Sequence, residues 1–260
     1  MNYKSISIVR AMLEHFKDFR AALGLLSLFP VGGGETFTPE RFGRLPAFYP
    51  LVGLVFGLLL GLLGFLAGKF LPPDLTALTL VLFLIVINRG FHLDGLADTA
   101  DALLSHRSRA EKLEILKDSR QGTFGVLAIV LNVIFKVQLL THLVPAAPWL
   151  LFLWPAWGRL GASAVAGLSR YVGAETGLNH SMVEKSGLRE VGLAALFTFV
   201  PSLICGLSAI LSAAAALFFG LALVPVWRRA LGGITGDLLG ASIELTEIST
   251  LLLLYFLILV

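Results

Sequence analysis

The chain has almost no cysteine and little charge. Cys205 is the one cysteine in 260 residues and lies inside an apolar run, which excludes a disulfide scaffold. Charged residues make up 14%, about half the share usual in a soluble protein, while 57% are hydrophobic. A mean hydropathy of +0.86 leaves too little polar surface to cover a water-soluble globule and is far too apolar for a disordered chain. The amino-terminal residues lack the short apolar core and small-residue cleavage site of a secretory signal. No internal repeat, low-complexity tract or separate soluble domain is evident. The net charge of +3 needs no nucleic-acid partner, because basic cytoplasmic loops of a membrane protein give the same balance. The bilayer is the expected solvent, so the expectation is one all-α, membrane-embedded domain over residues 1–260, in contact with membrane lipid.

What the chain does have is long uncharged runs. Leu45 to Ala67 is 23 residues without a charge, enough to cross a hydrocarbon core of about 30 Å. Leu75 to Ile87 reads as a short span, Thr123 to Leu143 carries one interior charge at Lys136, and Trp149 to Ser169 carries one at Arg159. Val191 to Trp227 holds 37 uncharged residues, which suits two crossings joined by a turn near Ala209 to Ser212. Ile248 to Val260 is the outer part of a helix beginning near Asp237. These runs predict a polytopic helix bundle of about seven crossings. With the amino terminus cytoplasmic, nearly all lysines and arginines fall inside, as the positive-inside rule requires. Residues 5 to 20 read as an amphipathic helix on the inner interface, with Ile8, Met12, His15, Phe16 and Phe19 opposite Lys4, Arg10, Lys17 and Asp18.

Two acidic stretches stand out. In N-R-G-F-H-L-D-G-L-A-D-T-A-D, residues 88 to 101, Asp94, Asp98 and Asp101 are spaced four and three apart and share one helix face. Crowded carboxylates at a membrane surface suit a hard cation such as Mg²⁺, which bridges carboxylates and substrate phosphates; the alternative is a solvated acidic face. His92 is a candidate base or a packing residue. In G-G-I-T-G-D-L-L-G-A-S-I-E-L-T-E, residues 232 to 247, Asp237, Glu244 and Glu247 fall on one broad face, and Gly240 and Ala241 admit a close neighbour helix. Glu244 and Glu247 precede an apolar tail, so they are expected either in a polar cavity shared with the first cluster or in a salt bridge to Lys136 or Arg159. Between the clusters, K-D-S-R-Q-G-T-F-G, Lys117 to Gly125, offers Lys117, Arg120 and the backbone N–H groups of Gly122 and Gly125 to a phosphate, with Ser119 or Thr123 as a helix cap. A positive-inside anchor accounts for the same two cations. The combination suits phosphoryl transfer within residues 88–122 and their surroundings. An ion-coupled transporter also uses buried acids, but it would show paired halves that this chain lacks.

The blocks G-F-H-L-D-G-L-A-D-T-A-D-A-L at 90 to 103, E-I-L-K-D-S-R-Q-G-T-F-G at 114 to 125 and the 232 to 247 segment, with P-L-V-G-L-V-F-G at 50 to 57, resemble the cobalamin synthase family of adenosylcobinamide-GDP ribazoletransferases. The resemblance runs in order along most of the chain. It implies a Mg²⁺-dependent enzyme of the inner membrane, with its site on the cytoplasmic side, that joins α-ribazole or its 5′-phosphate to adenosylcobinamide-GDP and releases GMP. On the matching positions it implies His92, Asp94, Asp98, Asp101 and Arg120 as catalytic groups. Metal ligands are expected among Asp94, Asp98, Asp101, Asp237, Glu244 and Glu247. Substrate contacts are expected from Arg89, Lys117, Asp118, Gly122, Gly125, Asp237, Glu244 and Glu247. A homo-oligomer is compatible with this reading. The family's amino-terminal Thr-Arg-hydrophobic-Pro pattern is replaced by Ser27-Leu28-Phe29-Pro30 and a Gly32-Gly33-Gly34 run, for which Arg41 and Arg44 are the available substitutes. A CDP-alcohol phosphotransferase is the next reading, but its arginine after D-G-x-x-A is absent.

Overall fold

The computed structural model describes residues 3–29, 38–118 and 120–260, with side chains from residue 12 onward. Pro30, the Gly32–Gly34 run and Ser119 lie outside the described residues, as do the side chains of Lys4, Ile8 and Arg10. The described chain runs α1 (Tyr3–Leu26), α2 (Pro39–Arg44), α3 (Tyr49–Ala67), α4 (Pro73–Ile87), α5 (Phe91–Leu104), α6 (Arg109–Ile115) and α7 (Thr123–Ala146). It continues through α8 (Trp154–Leu168), α9 (Leu178–Glu184), α10 (Leu188–Cys205), α11 (Leu207–Leu231) and α12 (Gly236–Leu259). An isolated bridge between Tyr171 and Ile234 is the one piece of β pairing among the described residues.

Local chemistry sets several boundaries. Thr38 caps α2 and Pro39 opens it, while Ser108 and Glu111 form a reciprocal capping box on α6. Each of the seven expected crossings corresponds to a helix, with differences of length. Five helical stretches among the described residues are long and apolar enough to span: Pro39–Ala67, α7, α10, α11 and α12. A sixth arises only if α4 and α5 count together across their 88° bend. The 15 residues of α8 fall short of a full crossing, and nearly every one is buried, so α8 is the hub of the bundle rather than a lipid-facing wall. The break in the long apolar run falls at Gly206, not near Ala209 to Ser212. Gly206 has φ +98, which a side chain resists, whereas Ala209 and Ser212 are buried inside α11.

Small residues let the central helices touch. A Cβ on Gly220 would stand 2.6 Å from the Gly161 carbonyl oxygen, and Gly158 and Gly161 admit Glu247 and Thr246 of α12. Helix α1 departs from its expected polarity. Met12, Leu13 and Phe16 are exposed, as an interfacial helix requires, but Asp18 turns inward and is fully buried. Its carboxylate pairs with Arg41 Nε at 2.9 Å and Arg44 Nε at 3.1 Å, so these arginines answer a buried acid of their own chain.

Candidate active site

Because successive long helices alternate in direction, one end of the bundle gathers the start of α3, the end of α4, the start of α7, the end of α8 and the start of α12. Helix α5 lies across that end. It meets α12 at its first turn, where a Cβ on Gly95 would stand 2.6 Å from the Asp237 carbonyl and one on Gly240 would stand 3.2 Å from the His92 Cα. The expectation that Gly240 admits a close neighbour is met, and α5 is not among the five stretches long and apolar enough to span by themselves. The turn that redirects the chain is Asn88-Arg89-Gly90. Arg89 and Gly90 are both left-handed, with φ of +59 and +68, and Asn88 Oδ1 accepts the Gly90 N–H at 3.0 Å. Left-handed backbone at a non-glycine residue costs on the order of 1–3 kcal/mol and is sustained by its surroundings.

Asp94, Asp98 and Asp237 stand together at this crossing. Burial pushes the Asp98 carboxyl up to about 6, reinforced by Asp94 and then Asp237, while Gln121 Nε2 donates to its Oδ1 at 3.2 Å. Thr235 Oγ1 donates to Asp237 Oδ2 at 3.1 Å. Two clefts open on either side of Asp237. One, of about 560 Å³, is lined by His92, Asp94, Tyr49, Met182, Leu239 and Ile243 among others; the second, of about 540 Å³, by Glu114, Lys117, Val172 and Thr235 among others. Tyr171, Asn179, Gly236 and Asp237 belong to both. Burial and the neighbouring charge of Asp237 push the Tyr171 phenol up. His92 is buried, and its imidazole is held well below its ordinary pKa by burial, then by the positive charges of Arg159 and Lys136.

Other expected members are placed differently. Asp101 shares the predicted face but is engaged by α7: the N–H groups of Gly122 and Gly125 donate to its two oxygens at 2.7 and 2.9 Å. The first N–H groups of a helix have no partner within it. Those expected to receive a phosphate are therefore already occupied, and α7 is capped from another helix. Lys117 pairs with Glu114 at 2.8 Å, and exposed Arg120 grips Asp118 at 2.6 Å, which holds the Asp118 carboxyl down to about 2. Arg89 and Arg120 line neither cleft; Arg89 lies over the Phe91 ring.

Glu244 and Glu247 do not join the acidic bank. They lie about 10 and about 15 Å further along α12 than Asp237, at about 1.5 Å per residue. Lys136 Nζ donates to both at 2.6 Å, and Arg159 Nη1 reaches Glu247 at 3.3 Å. All four side chains are at most 4% exposed. Two cations and two anions close a neutral cluster inside the bundle, which is the salt-bridge alternative rather than a second metal position. Asn88, Gln121, Tyr171 and Asn179 were not singled out from the sequence. The signals that point to them are the N-R-G break before the acidic helix and the polar, glycine-bearing stretch after α8.

No group of three His, Cys, Asp or Glu among the described residues is arranged to hold a metal ion as it stands. The donor set nevertheless fits Mg²⁺. That ion keeps several waters and binds through one or two carboxylates plus substrate phosphates, and the mutual repulsion felt by Asp98 is what such a cation relieves.

Fold and site together define a polytopic membrane helix bundle with a bank of carboxylates between two clefts at one end. The chain belongs to the cobalamin-5-phosphate synthase family, whose profile matches residues 18–255. It is similar to adenosylcobinamide-GDP ribazoletransferases from several bacteria. The protein from Acetivibrio thermocellus is 36% identical over 94% of this chain and 99% of its own length. That from Syntrophobacter fumaroxidans is 38% identical over 90% and 96%, and that from Escherichia coli O157:H7 is 37% identical over 92% and 99%. No solved structure matches the chain.

Proposed function

We propose that the protein is a membrane transferase that joins α-ribazole, or its 5′-phosphate, to adenosylcobinamide-GDP with release of GMP, late in cobalamin biosynthesis. The observation that carries this reading is the match to the transferase family over residues 18–255, with the family-matching Asp94 and Asp237 on one cleft and Asp98 close enough to feel both charges. The hydroxyl oxygen of α-ribazole bonds to the cobinamide-side phosphorus, and the bond from that phosphorus to the GMP oxygen breaks. The hydroxyl proton passes to a carboxylate of the bank. Asp94, Asp98 and Asp237 are the carboxylates that would hold Mg²⁺, which when bound would supply positive charge to shield the diphosphate oxygens. Lys117, on the wall of the second cleft, meets phosphate oxygens by exchanging its Glu114 partner. Asp101 holds α7 against α5 and so fixes the height of Gln121 over Asp98. The site lies on the cytoplasmic side of the inner membrane, because Lys112, Lys117, Arg120, Arg170 and Lys185 cluster at the same end.

The test is turnover by purified protein in lipid with Mg²⁺. GMP and a product containing ribazole should appear together from adenosylcobinamide-GDP and α-ribazole. Turnover of CDP-diacylglycerol with a polar alcohol instead, without GMP release from the corrinoid, sinks the reading.

A further inference from the structure

We infer that the two clefts beside Asp237 divide the two substrates, the first taking the aromatic base of α-ribazole and the second the GMP half of adenosylcobinamide-GDP. This assignment rests on the proposed transfer. In-line displacement at phosphorus puts the attacking and leaving oxygens on opposite sides of the reacting centre. The clefts meet that demand, because they share Tyr171, Asn179, Gly236 and Asp237 while the rest of their linings comes from different parts of the chain. At about 560 and about 540 Å³, each is of a size that holds one small ligand. The corrin ring is far larger and stays outside both.

Chemistry decides which substrate goes where. Asp94 and Asp237 both line the first cleft, whereas Asp237 alone of the bank lines the second, so the hydroxyl that must lose its proton belongs in the first. Further along α12 that cleft turns apolar. Ile243 lies six residues beyond Asp237, about 9 Å at about 1.5 Å per residue, and Tyr49, Met182 and Leu239 line the cleft with it. The Tyr49 hydroxyl already donates to Met182 Sδ at 2.7 Å. The base of α-ribazole carries a single acceptor nitrogen, so an apolar lining suits it, while guanine would bring amino, N–H and carbonyl groups to a lining without partners for them. Lys117 is the one lysine or arginine among the described residues lining either cleft, and it belongs to the second, where it suits a phosphate oxygen of the departing GMP. The ribazole oxygen therefore enters from the first cleft, its proton passing to a carboxylate, as the bond from phosphorus to the GMP oxygen breaks toward the second.

Met182 serves as the reporter. The chain has 3 methionines, so NMR of isotope-labelled methionine methyl groups in nanodiscs gives few signals, and that of Met182 is identified by its loss in Met182→Leu. α-Ribazole at a concentration that saturates turnover should shift the Met182 signal through the ring current of its base, and GMP should not. A shift with GMP and none with α-ribazole overturns the assignment. The two ligands should also bind wild-type protein together; mutual displacement puts them in one cleft and overturns it. In turnover, Ile243→Phe, which fills the apolar lining, should raise KM for α-ribazole about tenfold or more and leave KM for adenosylcobinamide-GDP within about threefold. Lys117→Gln should raise KM for adenosylcobinamide-GDP about tenfold and spare that for α-ribazole. The opposite split overturns the assignment. Transfer that proceeds with an unmoved Met182 signal removes the assignment alone, whereas no transfer by wild-type protein removes the proposed reaction and the assignment with it.

Discussion

Removing the ammonium of Lys136 is the sharpest perturbation of the bundle. Its Nζ lies 2.6 Å from both Glu244 and Glu247, and only Arg159, 3.3 Å from Glu247, remains to balance them. Lys136→Met thus leaves two buried carboxylates against one guanidinium. Stripping one partner from a buried pair costs about 3–5 kcal/mol, because the surviving charge stays out of water. At about 2–4 °C per kcal/mol for a chain of this size, the melting temperature in detergent should fall on the order of 10 °C. Glu244→Gln alone should also destabilise, with the opposite excess charge. The double variant Lys136→Met/Glu244→Gln restores one cation and one anion and should come back to within about 1–2 kcal/mol of wild type, a coupling far above the additive limit for distant sites. The assay is thermal unfolding of all four proteins under identical lipid and salt, with turnover measured beside it. Turnover of the double variant should stay within about tenfold of wild type. A Lys136→Met protein as stable as wild type, or strictly additive losses, would refute the neutral cluster.

Three further outcomes follow from the geometry. Asp98 has its pKa raised from 3.8 to about 6, so folding gains from its protonation below about pH 4 and loses that gain as the pH rises through 6. After solvent screening the effect is worth at most about 1 kcal/mol, and stabilisation by Mg²⁺ should be larger at about pH 7.5 than at about pH 5, a difference that Asp98→Asn abolishes. Asp101→Ala should cost about 1–2 kcal/mol through the lost cap on Gly122 and Gly125, and hydrogen exchange should quicken at the start of α7. Gly95→Val, whose Cβ would stand 2.6 Å from the Asp237 carbonyl, should part α5 from α12 and lower turnover by more than about tenfold, whereas Gly192→Ala, with open space around it, should be neutral. Equal behaviour of the two glycine variants would contradict the close crossing.

The uncharged runs carried most of the fold, because a lipid solvent demands continuous apolar helices. The join at Gly206 escaped because hydropathy is uniform there; the informative property was the glycine's backbone freedom. The spacing of Asp94 and Asp98 was readable as one helix face, but the same spacing included Asp101, whose partner is a set of helix-end N–H groups 21 and 24 residues away. No local pattern announces that competition. Glu244 and Glu247 show the converse case. Their partners are Lys136 and Arg159, the interior charges of two other apolar segments, so the pairing was legible as charge balance inside the bundle. Asp18 reversed its expected side because Arg41 and Arg44 sit under α1, across a stretch of chain that helical periodicity cannot bridge.

On the proposed reading, Asp94, Asp98 and Asp237, and not Glu244 and Glu247, would hold a divalent ion against a diphosphate. Mn²⁺ in place of Mg²⁺ makes this measurable as the paramagnetic broadening of the phosphorus signals of adenosylcobinamide-GDP bound to the protein. Strong broadening is expected with wild type and with Lys136→Met/Glu244→Gln, and its loss in Asp94→Asn/Asp237→Asn that still folds. Broadening that survives the aspartate changes but vanishes with the Glu244 variant would contradict it.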